Sequence, residues 1–265
     1  MRGFSFSMFH QQLTFYRLRD IIKKSGKLTE RNRSLRGHTM QRYNWGNTFN
    51  TRDLGYTPTI SGRIVRPLRF IRSDNPHMVS DGEKDFLIKN NITTIIDLRD
   101  EKIANTSPNA FVSDDRFSCY NYPLSINAKA PNSENDVIEN YCRMIENDTA
   151  IADVFRTMAS STGGVLFHCQ EGKDRTGIVS ALLLLLAGVP DIDVYADYEI
   201  SNVYLYEMIK KAKAMLPDYL LYLRIEYIER VLVYLRETYG TVENYLLSKG
   251  VAETEIHILK SKLLD

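Results

Sequence analysis

The residues of this chain best suited to chemistry crowd into ten positions, 168–177, reading HCQEGKDRTG. They follow the apolar run GGVLF and precede IVSALLLLLAGV. A polar turn between a buried strand and a buried helix places Cys169 at a sheet's carboxyl edge and Arg175 near a helix N-terminus. Free backbone N–H groups and the helix dipole favour an anion there. Two kinds of phosphate loop have this placement. The nucleotide-binding loop requires a glycine where this chain has Phe167, and a Ser or Thr where it has Asp174, so that reading fails. The other kind is a cysteine, five residues, an arginine and a hydroxyl residue. Cys169, Arg175 and Thr176 meet it.

Each part of that pattern has a mechanical reason. The loop's N–H groups and the helix N-terminus favour the thiolate of Cys169, which is the nucleophilic form. Arg175 offers a planar fork for two phosphoryl oxygens, a grip that lysine lacks. Gly172 permits the backbone to curl, and Gly177 allows close packing at the helix start. Thr176 is placed to hydrogen-bond the thiolate as a phosphocysteine breaks down, and His168 orients the loop from behind. The expected reaction is attack of Cys169 on phosphorus, then hydrolysis of the thiophosphate by water, with no metal or organic cofactor. The five histidines are scattered, and Cys119, Cys142 and Cys169 have no ligand or disulfide spacing. The leaving oxygen takes its proton from Asp97 or Asp174. Asp97 ends the β-branched run NITTIID, with Arg99 just beyond it, and reaches the edge that carries Cys169 if the two strands are parallel. Of the two it is the favoured acid, since a strand end can approach from the leaving-group side. The alternative is that it only hydrogen-bonds loop N–H groups or pairs with Arg99. Gln170, Glu171, Gly172, Lys173, Thr176 and Arg99 form the substrate-binding set. Lys173 adds positive charge, whereas Glu171 places a negative charge on the rim that disfavours polyanionic headgroups.

The elements that position these residues can be read in order. ISGRIVRPLRFIRSD predicts two short strands around a Gly-containing turn. Ser80 and Glu83 form a capping box that opens a helix through Ile88. NITTIID and FSCYNYPL are strands, residues 124–134 a loop, and ENDVIENYCRMIEN and IADVFRTMASS helices. GGVLFHC is a buried strand, and GIVSALLLLLAG a helix ended by Gly188 and Pro190. Everything after it is helical, with DIDVYADYEISNVYLYEMIKKAKA as one segment. Strands mixed with helices, then a helical tail, indicate an α/β domain around a small sheet.

Composition sets the outer bounds. With 265 residues, 43% hydrophobic and 25% charged, the chain suits one globular core plus appendages. Its net charge of +1 is uneven. Residues 1–39 hold nine Lys and Arg against Asp20 and Glu30, which leaves a mildly acidic body and argues against a nucleic-acid-binding core. Residues 1–39 read as a basic extension without a core pattern, disordered or artefactual, with Met40 as the natural start. An arm for membrane or RNA is the competing reading. The longest apolar run, Ile178 to Val189, is too short to span a bilayer. No signal-peptide pattern opens the chain and the cysteines are irregular, so the expected location is the cytoplasm. Export by a route without a signal peptide stays open.

HCQEGKDRTG resembles the signature of the cysteine-dependent protein tyrosine phosphatases. Its Lys-Asp pair is similar to the bacterial branch of tyrosine and dual-specificity phosphatases, a branch that also includes phosphoinositide phosphatases. NTFNTRDLG resembles that branch's N-terminal N-x-R-D-L-G motif, RPLRFIRSDNPHMVSDGEKDFL its arginine-strand segment, IIDLRD its D-L-R strand end, and YGTVENYLLSKGVAETEIHILKSKLL its C-terminal helices. The resemblance implies a phosphatase domain over residues 40–265. Its fold would be protein-tyrosine-phosphatase-like, a small central, mostly parallel sheet flanked by helices, with a helical C-terminal part. It also implies a phosphomonoesterase with a cysteinyl-phosphate intermediate, acting on phosphotyrosine and also on phosphoserine or phosphothreonine in proteins, with phosphoinositides as the alternative. No nucleic acid, metal, cofactor or transmembrane segment is implied. In the family the aspartate matching Asp97 has been read as the general acid. Two other classes compete: a phosphate-binding module without turnover, and rhodanese-like sulfur transfer. Intact Cys169, Arg175 and Thr176 oppose the first, and the KDRTG ending opposes the second. Arg52 and Asp53 read as structural, and Arg72, Ser73 and Asp74 as strand-end residues near the pocket. The tyrosine-rich stretch 195–222 reads as buried packing or as a helical lid.

Overall fold

The structure, a computed structural model, describes residues 41–125, 131–147 and 149–265. The extension predicted at 1–39 and the centre of the loop at 124–134 lie outside these residues. Five short strands form one sheet: β1 (Arg52–Asp53), β2 (Phe70–Ser73), β3 (Ile92–Asp97), β4 (Ser118–Asn121) and β5 (Gly164–His168), in the order β1-β2-β5-β3-β4. Strand β5 runs parallel to both of its neighbours, β4 runs parallel to β3, and only β1 pairs antiparallel. The central strand reads as a continuous apolar run because both of its faces are covered. Val165 and Phe167 enter the larger hydrophobic cluster on one side, and Leu166 the smaller one with Tyr43, Trp45 and Leu87 on the other.

The helices are α1 (Asp81–Lys89), α2 (Glu101–Thr106), α3 (Glu134–Asn147), α4 (Ala150–Ser160) and α5 (Asp174–Leu186). They continue with α6 (Asp191–Glu199), α7 (Ser201–Tyr204), α8 (Tyr206–Ala212), α9 (Asp218–Leu221), α10 (Ile225–Tyr239), α11 (Val242–Ser248) and α12 (Glu253–Leu264). The Ser80–Glu83 capping box opens α1 as predicted. Helix α5 is buried from Thr176 through Leu184, which is why it carries no polar stripe.

Three differences from the sequence reading have physical causes. The strand pair predicted at 60–74 is one strand, β2, preceded by an isolated Pro58–Ile64 bridge. Pro67 supplies no N–H and Leu68 turns at φ 61°, so no ladder continues through them. The single helix predicted at 191–214 is broken into α6, α7 and α8. Arg52 Nη2 donates to Asp197 O at 2.7 Å, a carbonyl that the next helical turn would otherwise use. Helix α5 begins at Asp174, so Asp174, Arg175 and Thr176 are its first turn rather than loop. The short helix α2 was not predicted.

Candidate active site

Strand β5 ends at His168 and α5 begins at Asp174, leaving residues 169–173 as a five-residue loop. Cys169 opens it and is 2% exposed. The parallel register sets Asp97 beside His168 on one flank and Ser73 beside His168 on the other. Asp97, Ser73 and Cys169 therefore emerge at one sheet edge. Gly172 adopts φ +65°, and a Cβ there would lie 2.6 Å from the backbone of Ser73 and Asp74. Conformation and space both demand glycine. A Cβ on Gly177 would come within 2.9 Å of the Tyr198 ring.

The loop is held from behind by its carbonyls. Asn50 Nδ2 donates to Glu171 O and Gly172 O, each at 3.0 Å, and Arg72 Nη2 donates to Gly172 O at 2.7 Å. Gln170 O accepts from Asn75 N at 3.1 Å, and His168 O from Leu98 N at 2.8 Å. Carbonyls turned backward aim the following N–H groups forward, the arrangement that makes an anion-binding concavity. Arg175 Nε and Thr176 Oγ1 are buried without a hydrogen-bond partner among the described residues. Such groups are costly to bury unpaired. An oxyanion seated over the loop, next to the Arg175 fork, would satisfy them. Among the described residues no group of three or more His, Cys, Asp or Glu could hold a metal ion.

The two candidate acids have different surroundings. Arg99 donates Nε to Asp97 Oδ1 at 2.9 Å and Nη2 to Oδ2 at 2.6 Å, and its backbone N–H also reaches Oδ1 at 2.9 Å. Burial pushes the Asp97 carboxyl up, but the Arg99 bonds outweigh it and hold the group below the usual carboxylate range. Asp174 Oδ1 instead accepts from the Tyr141 hydroxyl, which itself accepts from Tyr198 Oη at 3.2 Å. Burial raises both phenols well above their ordinary value, so they stay protonated donors. His168 is fully buried, with Nδ1 3.2 Å from Cys169 O and Nε2 3.3 Å from Asn109 Nδ2. Those partners assign a neutral ring donating from Nδ1. Burial lowers its pKa to about 4.

Two residues of the predicted substrate-binding set spend their donors on the protein. Arg99 is fully buried, with its fork on Asp97 and Nη1 3.4 Å from Gln170 Oε1. Lys173 Nζ donates to Leu220 O at 2.6 Å, approaches Leu221 O at 3.4 Å and pairs with Glu171 at 3.0 Å. Burial lowers the Lys173 pKa, but Asp174 and Glu171 outweigh it and the net shift is upward. Gln170 is exposed and Glu171 half-buried at the rim. The sequence reading missed Asn50, Tyr141 and Asp197 altogether. Asn50 lay within the quoted NTFNTRDLG stretch, whereas Tyr141 and Asp197 gave no sign beyond their place in helical segments.

A model of the tyrosine phosphatase family matches residues 43–265. A tyrosine-protein phosphatase of Nostoc commune is 32% identical over 233 residues, covering 78% of this chain and 78% of its own. The triple specificity protein phosphatase PtpB of Mycobacterium tuberculosis is 25% identical over 270 residues, covering 82% of this chain and 96% of its own. Among solved structures, TpbA of P. aeruginosa aligns over 80% of this chain and 97% of its own, at 12% identity and a TM-score of 0.42.

Proposed function

We propose a residue-level mechanism for this chain, which belongs to the tyrosine phosphatase family and is a protein-tyrosine phosphatase working through a cysteinyl phosphate. Cys169 Sγ attacks phosphorus, the bond from phosphorus to the tyrosine oxygen breaks, and that oxygen takes a proton from the general acid. Water then attacks the phosphocysteine, the S–P bond breaks, and the acid's carboxylate receives the water's proton. The loop N–H groups, the start of α5 and the Arg175 fork carry the charge that builds on the equatorial oxygens. Thr176 Oγ1 donates to the departing thiolate.

Asp174 is the general acid in this mechanism, and the clamp on Asp97 is the observation that carries the choice. A carboxylate with both oxygens on one guanidinium, held below its usual range, has no proton to give at neutral pH. Asp174 stands half-buried in the first turn of α5 with Tyr141 as its one hydrogen-bond partner among the described residues. Asp97 and Arg99 then form a brace beneath the loop. The substrate is phosphotyrosine in a protein or peptide, with phosphoserine and phosphothreonine secondary. The name of PtpB extends to triple specificity, but in this chain Glu171 carries a negative charge at the rim and pairs with the buried Lys173, which works against phosphoinositides. The catalytic unit is residues 40–265, and its three free cysteines suit a reducing compartment such as the cytoplasm.

The test is Cys169→Ser. Turnover of p-nitrophenyl phosphate and of phosphotyrosine peptides should vanish while inorganic phosphate still binds, because the cradle survives without a nucleophile. Hydrolysis by the pure variant at a rate comparable to the native chain would remove Cys169 from the mechanism.

A further inference from the structure

Behind the loop lies a charged cluster that the mechanism above does not use. Arg52 from β1 and Arg72 from β2 are both fully buried, and both bind Asp197 of α6. Arg52 Nε meets Asp197 Oδ1 at 2.8 Å, and Arg72 Nη1 meets Oδ2. Arg52 reaches further: Nη1 donates to Asn50 Oδ1 at 2.6 Å and to Asn50 O at 3.0 Å, and Nη2 to Ser201 Oγ at 3.1 Å. Asn50 is itself fully buried, and its backbone N–H donates to Asp74 Oδ1 at 3.0 Å. Two like charges sealed from water are expensive unless paired and hydrogen-bonded, and a fold needing only stability would use apolar residues here. What the cluster does instead is deliver donors to two consecutive carbonyls. Asn50 Nδ2 and Arg72 Nη2 are the donors on Glu171 O and Gly172 O, and each is oriented by a partner in the cluster.

We propose that Asn50 and Arg72 are positioning residues for the phosphoryl group, aligned by the Arg52–Asp197 pair, that set the loop's N–H groups for an oxyanion before substrate arrives. In a planar trans peptide the C=O of one residue and the N–H of the next point in opposite directions. Pinning Glu171 O and Gly172 O to the rear therefore fixes the N–H groups of Gly172 and Lys173 toward the opposite side. A charged donor on the carbonyl also polarises the peptide group and strengthens the N–H at its other end. Gly172 makes this possible, since any Cβ there would strike Ser73 and Asp74 at the β2 end. Asp197 joins the cluster to α6, and the next residue, Tyr198, leads through Tyr141 to Asp174. One helix thus supports both the back of the cradle and the proposed acid.

The inference rests on the phosphatase reading of the same loop, so its test uses binding as well as turnover. In the Cys169→Ser background, calorimetry with inorganic phosphate gives an affinity independent of chemistry. Asn50→Leu, neutral and similar in size, and Arg72→Lys, which keeps the charge but not the fork, should each weaken phosphate binding about tenfold or more. With Cys169 present, both should raise KM for p-nitrophenyl phosphate and the Ki of phosphate together, and lower kcat. A merely structural role would lower melting temperature and apparent kcat but leave Kd, KM and Ki at native values, and that result overturns the proposal. Native Kd, KM and Ki with an unchanged melting temperature overturn it equally. Should Arg72→Lys fail to fold, Asn50→Leu decides alone. A native chain that binds phosphate but never hydrolyses the ester would refute the phosphatase mechanism and leave the calorimetric comparison standing.

Discussion

Strand β3 and helix α5 each bring an aspartate to the edge that carries Cys169, and the two carboxylates are held in opposite ways. Asp97, at the strand end, is locked by a guanidinium fork, a backbone N–H and a buried setting. Asp174, in the helix's first turn, rests on a phenol whose own proton is hard to remove. An arginine fork stabilises only the charged carboxylate. A phenol hydrogen-bonds either protonation state, accepting from the acid or donating to its anion. In the proposed mechanism it is the partner, guanidinium or phenol, that decides which aspartate delivers the proton.

The largest expected effect breaks this comparison directly. Phosphotyrosine leaves as a phenolate of pKa about 10 and needs protonation, whereas nitrophenolate leaves unaided. Asp174→Asn should therefore slow phosphotyrosine-peptide hydrolysis by roughly 10²–10⁴-fold, with a much smaller loss on p-nitrophenyl phosphate. If Asp97→Asn shows that selective loss and Asp174→Asn does not, the two roles are exchanged. Asp97→Asn should instead leave Arg99 buried without its anion, costing about 3–5 kcal/mol of stability by chemical denaturation. Whatever activity remains should fall alike on both substrates.

The third prediction concerns the ring behind the loop. His168 is neutral in the fold with a pKa near 4, below the ordinary 6.5, so the unfolded chain binds the proton first. Its stabilising contribution is complete above about pH 6.5 and is lost as pH falls towards 4, about 3 kcal/mol in all. Asp97, also depressed, loses its share in the more acidic range below that. Denaturation curves across pH 7 to 4 should be flatter for His168→Gln than for the native chain. Equal slopes would mean that the ring is not held neutral by burial. The smallest effect is that of Tyr141→Phe, which keeps the ring but removes the bond to Asp174. It should lower the phosphotyrosine rate only several-fold, because the carboxyl remains in place, and alter the alkaline limb of its pH–rate profile, the side on which a general acid loses its proton. An unchanged rate and profile would show that the phenol has no hold on Asp174.

How much of this was legible in sequence follows from where each partner comes from. Cys169, Gly172, Arg175 and Thr176 lie within one turn of chain, so spacing alone carries their geometry. The parallel run of β3 beside β5 was a stated condition for Asp97, and the register pairs Asp97 with His168. What spacing could not carry was the environment. Arg99 was placed in the substrate-binding set with pairing to Asp97 as the alternative, and the structure shows the pairing, because at a strand end the side chain two residues on can fold back onto the aspartate. Lys173 was expected to add charge to the pocket, yet its ammonium is taken by a main-chain carbonyl of α9, a tertiary contact that spacing does not announce. The junction between α6 and α7 was equally hidden, since an arginine about 145 residues earlier in the chain binds the Asp197 carbonyl there. Polar residues ahead of an apolar helix do not reveal whether they are loop or first turn, and that distinction put Asp174 on α5.

The central claim is that turnover passes through Cys169, and rapid acid quenching tests it most directly. Native chain mixed with excess p-nitrophenyl phosphate should release nitrophenolate in a burst that approaches one equivalent wherever hydrolysis of the thiophosphate limits the rate. Mass spectrometry of the quenched protein should place a phosphate adduct on the peptide containing Cys169 and on no other. Hydrolysis at the full rate with no adduct at Cys169 in either burst or steady state, or an adduct at another residue, would contradict the account.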